Sequence, residues 1–283
     1  MRVMRARHMG MCFGVRDAIA LAVQEAARWP LTVLGELVHN ETVLDDLRAR
    51  GIRFCRDVGE VDTPSVMITA HGASERRLAT VRDRGLRVLD ATCFLVRTAH
   101  GAATTLSRAG FHPVIIGKRD HVEVVGLTED LDEFDVVLED DDVLGLKPRR
   151  RFGIVAQTTQ PVARVEHLAS LIRRRFPGAE VRLADTVCAP TRRRQQAALE
   201  LARRCDVVVV IGGANSNNTR ELVATCRRHC ERVFHVQTAA DLRAEWFEGA
   251  RVAGITAGTS TPDSVIDLVE ARLGDLAGSQ LAA

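Results

Sequence analysis

The 283-residue sequence predicts an α/β protein of three small lobes, each a mostly parallel sheet, grouped around a central site. Two observations carry that expectation. Short β-branched runs alternate along the chain with stretches of helical periodicity, the βαβα order that builds parallel sheets covered on both faces. Three cysteines also recur in one local setting: Cys12 opens Cys-Phe-Gly-Val-Arg16, Cys93 opens Cys-Phe-Leu-Val-Arg97, and Cys188 opens Cys-Ala-Pro-Thr-Arg192. Two of them follow an aspartate three positions back, Asp90 and Asp185. A repeat of about 90 residues suits three lobes better than two domains. The expected divisions are residues 13–93, residues 94–188, and residues 1–12 joined with 189–283.

Taken in order, strands are expected at Leu31–Leu34, Ser65–Ala70, Pro113–Gly117, Phe152–Ala156, Asp206–Ile211, Val233–Val236 and Arg251–Thr256. Helical spacing follows each cysteine. After Cys12 it is carried by Val15, Ala18, Ile19, Ala22, Val23 and Ala26, after Cys93 by Val96, Ala99, Ala103 and Leu106, and after Cys188 by Ala198, Leu199 and Ala202. The acidic run Glu139–Asp142 and the basic run Arg149–Arg151 are expected to form a solvated loop around one connection. Arg173–Arg175 and Arg192–Arg194 read as helix surface, and the chain after Gly274 as a frayed tail.

Composition narrows the function. Net charge is only +2, aromatics are 4% and tyrosine is absent, so the basic face and stacking rings of a nucleic-acid binder are missing. No run approaches the roughly 18 apolar residues of a membrane span, and the basic N-terminus lacks a signal peptide's apolar segment. A cytoplasmic protein is expected. Seven dispersed cysteines then favour metal binding or thiol chemistry over disulfides.

Each repeated cysteine falls at the start of a helix, where free N–H groups and the helix dipole stabilise a thiolate. Three thiolates at one point fit an iron–sulfur cluster with one iron left open for substrate, whereas a closed structural site wants four ligands. Two other readings stay open: three small buried hydrophobes, or a zinc site closed by a histidine. Cys55, Cys205, Cys226 and Cys230 read as packing residues, although Cys226 and Cys230 share a helix face.

Polar residues stand just beyond the apolar strands. His39 follows the first, His71 the second, and His121 the third, with Glu123 two positions on. Thr158 follows Phe152–Ala156, Ser216 and Asn218 follow the Gly212-Gly213 turn, and Ser260 follows Arg251–Thr256. Imidazole, hydroxyl and carboxamide groups at sheet ends can surround a phosphate without a strongly basic pocket. Glu123 reads equally as an ion-pair member or as a proton donor. His8, His100, His112, His167, His229 and His235 read as satisfied core or surface residues. No G-x-G-x-x-G occurs, so a dinucleotide site has no support.

These residues together resemble the 4-hydroxy-3-methylbut-2-enyl diphosphate reductase family (IspH, or LytB). The matching pieces run from Cys12-Phe-Gly-Val through Val38-His39-Asn40, Ala70-His71-Gly72, Asp90-Ala-Thr-Cys93 and His121-Val-Glu123. They continue through Gln157-Thr158-Thr159, Cys188, Asn215-Ser-Asn-Asn218 and Thr256-Ala-Gly-Thr-Ser260-Thr-Pro-Asp263. The resemblance implies pseudo-threefold symmetry and a [4Fe-4S] cluster with one open iron site, held by Cys12, Cys93 and Cys188. It implies that His39, His71, His121, Ser216, Asn218 and Ser260 bind an allylic diphosphate substrate, with Glu123 and Thr158 catalytic. It further implies reduction to isopentenyl and dimethylallyl diphosphates, with electrons from a ferredoxin or flavodoxin.

Some positions depart from the family's pattern: Phe13 and Phe94 follow two cluster ligands, Lys118 and Val122 flank His121, and Asn217 stands where a serine is usual. A divergent paralogue acting on another substrate is therefore an alternative, as is a non-catalytic cluster or diphosphate binder. Quinolinate synthase and the diphthamide-biosynthesis enzymes also bring one cysteine from each of three lobes, but lack this ordered histidine and serine series.

Overall fold

A computed structural model describes residues 1–281. From the N-terminus the elements are β1 (Arg2–Arg5), α1 (Phe13–Ala26), β2 (Leu31–Leu34), α2 (Glu41–Ala49), β3 (Arg53–Cys55), β4 (Ser65–Ile68), α3 (Glu75–Asp83) and β5 (Arg87–Asp90). Next come α4 (Phe94–Arg108), β6 (His112–Ile116), α5 (Val122–Thr128), β7 (Asp135–Val137), α6 (Asp140–Leu144), β8 (Arg151–Ala156), α7 (Val162–Arg175) and β9 (Glu180–Leu183). The last are α8 (Ala189–Ala202), β10 (Val207–Ile211), α9 (Asn217–Arg227), β11 (Arg232–Val236), β12 (Val252–Ala257) and α10 (Asp263–Leu281).

The strands form three four-stranded sheets in the orders β3-β2-β4-β5, β7-β6-β8-β9 and β11-β10-β12-β1, and every described strand pair is parallel. All three share one plan. The second strand lies outside the first, and the third and fourth follow on the other side. In the last sheet the fourth place is filled by β1, from the opposite end of the chain. Such an order turns over between its first and third strands, and ligands bind beyond the carboxyl ends at that point.

The sequence forms these sheets because both faces are covered. In β10, Val207, Val209 and Ile211 enter one core cluster while Val208 and Val210 enter another, so an unbroken apolar run satisfies both sides. In β8, Phe152, Ile154 and Ala156 pack on one side and Val155 on the other.

The chain folds as two compact units. The terminal unit comprises Met1–Arg16, Val38–Asp45 and Ala189–Ala283 and carries the sheet containing β1. The central unit comprises Asp17–Leu37 and Asp46–Cys188 and carries the other two. Within the central unit, α3 and the α5–β7 connection are joined: Ser74 Oγ donates to Glu129 at 2.6 Å, and Asp130 accepts the Glu75 and Arg76 N–H groups at 2.7 and 3.1 Å.

Several local expectations require correction. The run Glu139–Asp142 is not loop: Asp140, Asp141 and Asp142 form the first turn of α6, where the dipole favours carboxylates, and Asp142 accepts the Leu138 and Glu139 N–H groups at 2.8 and 3.0 Å. Arg151 belongs to β8, its guanidinium 3.9 Å from the Phe111 ring centroid. Gly274 lies inside α10 rather than in a tail, because Leu276 joins the core cluster that contains Ile255 of β12, and Ala277 is buried as well. The last two residues, 282 and 283, lie outside the described part. Arg194 is buried, not on the helix surface.

Candidate functional site

Each sheet delivers its polar residues at the same stations. After the first strands come His39, His121, and Ser216 with Asn218; after the third come His71, Thr158 and Ser260; after the fourth come Cys93, Cys188 and Cys12. Each cysteine's N–H also donates to the carbonyl two residues past its sheet's third strand. Cys93 reaches Ala70 at 3.1 Å, Cys188 reaches Thr158 at 3.0 Å, and Cys12 reaches Thr259 at 3.0 Å. The three thiols are half-buried at the starts of α4, α8 and α1, and none is in a disulfide.

In the central unit, the turn ahead of Cys93 is braced by Asp90, which accepts the Thr92 N–H at 2.9 Å and pairs with Arg97 at 2.9 Å. Ahead of Cys188, Thr186 Oγ1 accepts from the Ala156 N–H at 2.9 Å and donates to the Ala156 carbonyl at 2.8 Å. Glu123, in the first turn of α5, is only 1% exposed. Its carboxylate accepts the Thr158 N–H at 2.6 Å and the Thr158 hydroxyl at 3.1 Å. Burial lifts its pKa to about 7 against the opposing pull of those two hydrogen bonds. A carboxyl that holds its proton near neutrality is suited to proton donation.

His121 caps α5 by accepting the Glu123 N–H on Nδ1 at 3.2 Å, an arrangement that leaves the neutral ring's proton on Nε2. The His71 ring meets it edge-on, with centroids 5.6 Å apart. Histidine, histidine, glutamate and threonine are thus brought together on one side of the central unit.

In the terminal unit, Ser216 caps α9 by accepting the Thr219 N–H at 3.3 Å, and Asn218 Oδ1 accepts the Thr259 N–H at 3.0 Å. Asn218 Nδ2 and Ser260 Oγ are buried without a hydrogen-bond partner. Native interiors rarely leave such groups unmet, so both are open to an acceptor from outside the protein. Gly213 permits the approach of His39: a Cβ there would lie 2.0 Å from the His39 carbonyl oxygen.

Sequence reasoning missed Arg194 and the buried hydroxyls of Thr219 and Thr256, which lack partners. A threonine in the apolar run of β12 is the one available signal for Thr256. Of the histidines expected to be satisfied, His112 meets Asp135 at 2.8 Å, His167 meets Asp140 at 2.7 Å and His235 meets the Gly212 carbonyl at 2.7 Å. His100 differs. Its Nε2 is buried without a hydrogen-bond partner against Gly72 and Gly126, and burial holds its pKa below the ordinary value.

Cys226 and Cys230 pack into the core, the Cys230 thiol against the Cys205, Asp206 and Arg232 carbonyls. Among the described residues, no three His, Cys, Asp or Glu side chains are grouped so as to hold a metal ion. No described helix is long and apolar enough to cross a membrane.

Doubly wound parallel sheets with a buried proton-holding carboxyl at their carboxyl ends define an α/β enzyme. The chain belongs to the LytB protein family, whose model matches residues 3–274. A 4-hydroxy-3-methylbut-2-enyl diphosphate reductase of Pelobacter propionicus is 37% identical over 278 residues, covering 98% of this chain and 99% of that one. One of a Geobacter species is 39% identical over 277 residues, covering 96% and 97%. A solved structure of (E)-4-hydroxy-3-methyl-but-2-enyl diphosphate reductase, described as the terminal enzyme of the non-mevalonate pathway, superposes with a TM-score of 0.69 at 34% identity, covering 97% of this chain and all of that one. The Plasmodium falciparum reductase superposes with a TM-score of 0.87 at 26% identity, covering 94% and 86%.

Proposed function

We propose that this chain is a 4-hydroxy-3-methylbut-2-enyl diphosphate reductase, catalysing the terminal reductive step of non-mevalonate isoprenoid biosynthesis. The observation that carries the chemistry is Glu123, a fully buried carboxyl with a pKa of about 7 beside Thr158. The reaction takes two electrons and two protons. The allylic carbon–oxygen bond breaks, the oxygen leaves as water, and a new C–H bond forms at either end of the allyl unit, giving isopentenyl or dimethylallyl diphosphate.

Cys12, Cys93 and Cys188 would hold a [4Fe-4S] cluster with one open iron. The donors are of the right chemical kind: three half-buried thiols outside any disulfide, each at a helix start with its own N–H anchored. When bound, the cluster supplies the electrons and a Lewis-acidic iron that no side chain provides. The residues do the rest. Asn218 Nδ2 and Ser260 Oγ, unmet in the protein, donate to diphosphate oxygens, joined by Ser216, His39, His71 and His121. Glu123 delivers a proton to the departing oxygen, and Thr158 holds the carboxyl in place. The lobes are proposed to divide at residues 13–93, 94–188 and 1–12 with 189–283. A cytoplasmic enzyme drawing electrons from a ferredoxin or flavodoxin completes the proposal.

Anaerobically prepared enzyme, given the substrate and a strong artificial reductant, is expected to form both products. Iron-loaded protein inert toward this substrate but active on another allylic diphosphate would establish the divergent-paralogue alternative instead.

A further inference from the structure

Arg194 is a buried cation, 8% exposed, that no step above employs. From α8 its Nε and Nη2 both donate to the Gly10 carbonyl, at 2.9 and 2.6 Å, while Nη1 donates to the Pro190 carbonyl at 3.1 Å. Gly10 stands two residues ahead of Cys12, and Pro190 two residues behind Cys188. The Gly10–Cys12 loop is also held by its amides: Gly10 donates to Ala257 at 3.1 Å and Cys12 to Thr259 at 3.0 Å. Gly10 adopts φ +74°, a left-handed conformation.

The turns ahead of Cys93 and Cys188 are braced by an aspartate and a threonine drawn from within those turns. At Cys12 the brace comes instead from a remote helix and carries permanent positive charge. Burying a guanidinium is costly where a neutral side chain would serve as a mere tether. What distinguishes arginine is a rigid fork that fixes two carbonyls at once, with a charge suited to a loop that receives an anionic group.

We propose that Arg194 is the positioning residue for Cys12, its guanidinium fixing the Gly10–Cys12 loop so that the Cys12 sulfur is held ready for cluster ligation. This rests on the cluster assignment above. The test uses full-length Arg194→Lys and Arg194→Ala proteins prepared anaerobically, with Arg193→Lys, an exposed neighbour on the same helix, as control. Iron release to a ferrous chelator is timed, and alkylation of each cysteine during release is mapped by mass spectrometry.

Arg194→Lys is expected to lose iron at least about tenfold faster, the scale of one lost hydrogen bond to a charged group. Cys12 is expected to be alkylated well ahead of Cys93, and guanidinium ion at a non-denaturing concentration to slow release in Arg194→Ala. Should the alanine variant fail to fold, the lysine variant alone decides. Wild-type release and alkylation rates in a folded Arg194→Lys protein overturn the proposal. So does equal acceleration at Cys12 and Cys93 with a lowered unfolding midpoint, which marks a general structural role. A wild-type protein that binds no iron sinks the cluster assignment itself, a result distinct from iron-loaded wild type matched by an unaffected variant.

Discussion

Replacing Glu123 by glutamine removes an ionisable group while keeping its shape, and its effect on stability has a sign that the structure fixes. The carboxyl's pKa is about 7 in the folded protein against an ordinary 4.5. Between those values the folded state retains a proton that the unfolded chain has released, so the unfolding free energy falls as pH rises. The contribution is fully present below pH 4.5 and lost once pH passes about 7. At about 1.4 kcal/mol per unit, the ionised carboxylate removes about 3 kcal/mol of stability above pH 7. The substituted amide stays neutral throughout, and its carbonyl can still accept the Thr158 N–H. Urea unfolding of both proteins from about pH 5 to about pH 8.5 isolates the contribution, because every other titration is shared. The variant is expected to gain on wild type as pH rises, reaching about 3 kcal/mol at the alkaline end. A difference that stays flat with pH, or one that turns against glutamine at high pH, would refute the burial argument. In turnover, the same substitution is expected to cost about 10²–10⁴-fold in rate, and wild-type kcat/KM to fall above about pH 7 as the acid deprotonates.

Other substitutions separate ligands from packing. Cys93→Ser is expected to abolish the visible absorbance of a loaded cluster, while Cys230→Ser, in a core thiol facing carbonyls, retains it; absorbance and iron analysis distinguish the two. Asn218→Ala removes the unmet Nδ2 and also the acceptor of the Thr259 N–H, so KM for the diphosphate is expected to rise together with a stability loss of about 1 kcal/mol in urea unfolding. Ser216→Ala deletes the α9 cap and is expected to cost about 1 kcal/mol in urea unfolding. Gly213→Ala places a carbon where the His39 carbonyl sits, so backbone displacement is expected, read out as weakened diphosphate binding.

The central strands were legible because burial on both faces leaves only apolar residues, as in Val207–Ile211. β1, β3, β5, β7 and β9 were not. All five are sheet edges, three or four residues long, and each carries charge: Arg2 and Arg5, Arg53, Arg87 and Asp90, Asp135, Glu180 and Arg182. Edge strands are held by the ladder to a neighbour rather than by their own pattern. Candidate site residues were legible for the converse reason: histidines, serines and threonines just past an apolar run have no packing role to explain them. Arg194 was invisible because an arginine beside Arg192 and Arg193 looks like solvated helix surface, and its burial depends on a loop more than 180 residues away.

That remoteness explains why Cys12 needs a brace of its own. In the central unit the third and fourth strands of each sheet are joined through one helix, α3 or α7, so Cys93 and Cys188 are delivered by continuous chain. In the terminal sheet the fourth strand is β1, and no such one-helix connection joins it to β12. Cys12 is brought to its station by the β1–β12 ladder, by the Gly10 and Cys12 amides on the Ala257 and Thr259 carbonyls, and by side chains, at the entropic cost of closing a long loop. Three arginines supply the missing continuity. Arg5 pairs with Asp267 and Glu270, Arg16 pairs with Asp263 at 3.0 Å, and Arg194 grips Gly10. The first two are exposed pairs on α10 and contribute little each, being screened by solvent and salt. The third is buried and insensitive to salt. Raising ionic strength is therefore expected to leave Cys12 in register, whereas loss of Arg194 is not.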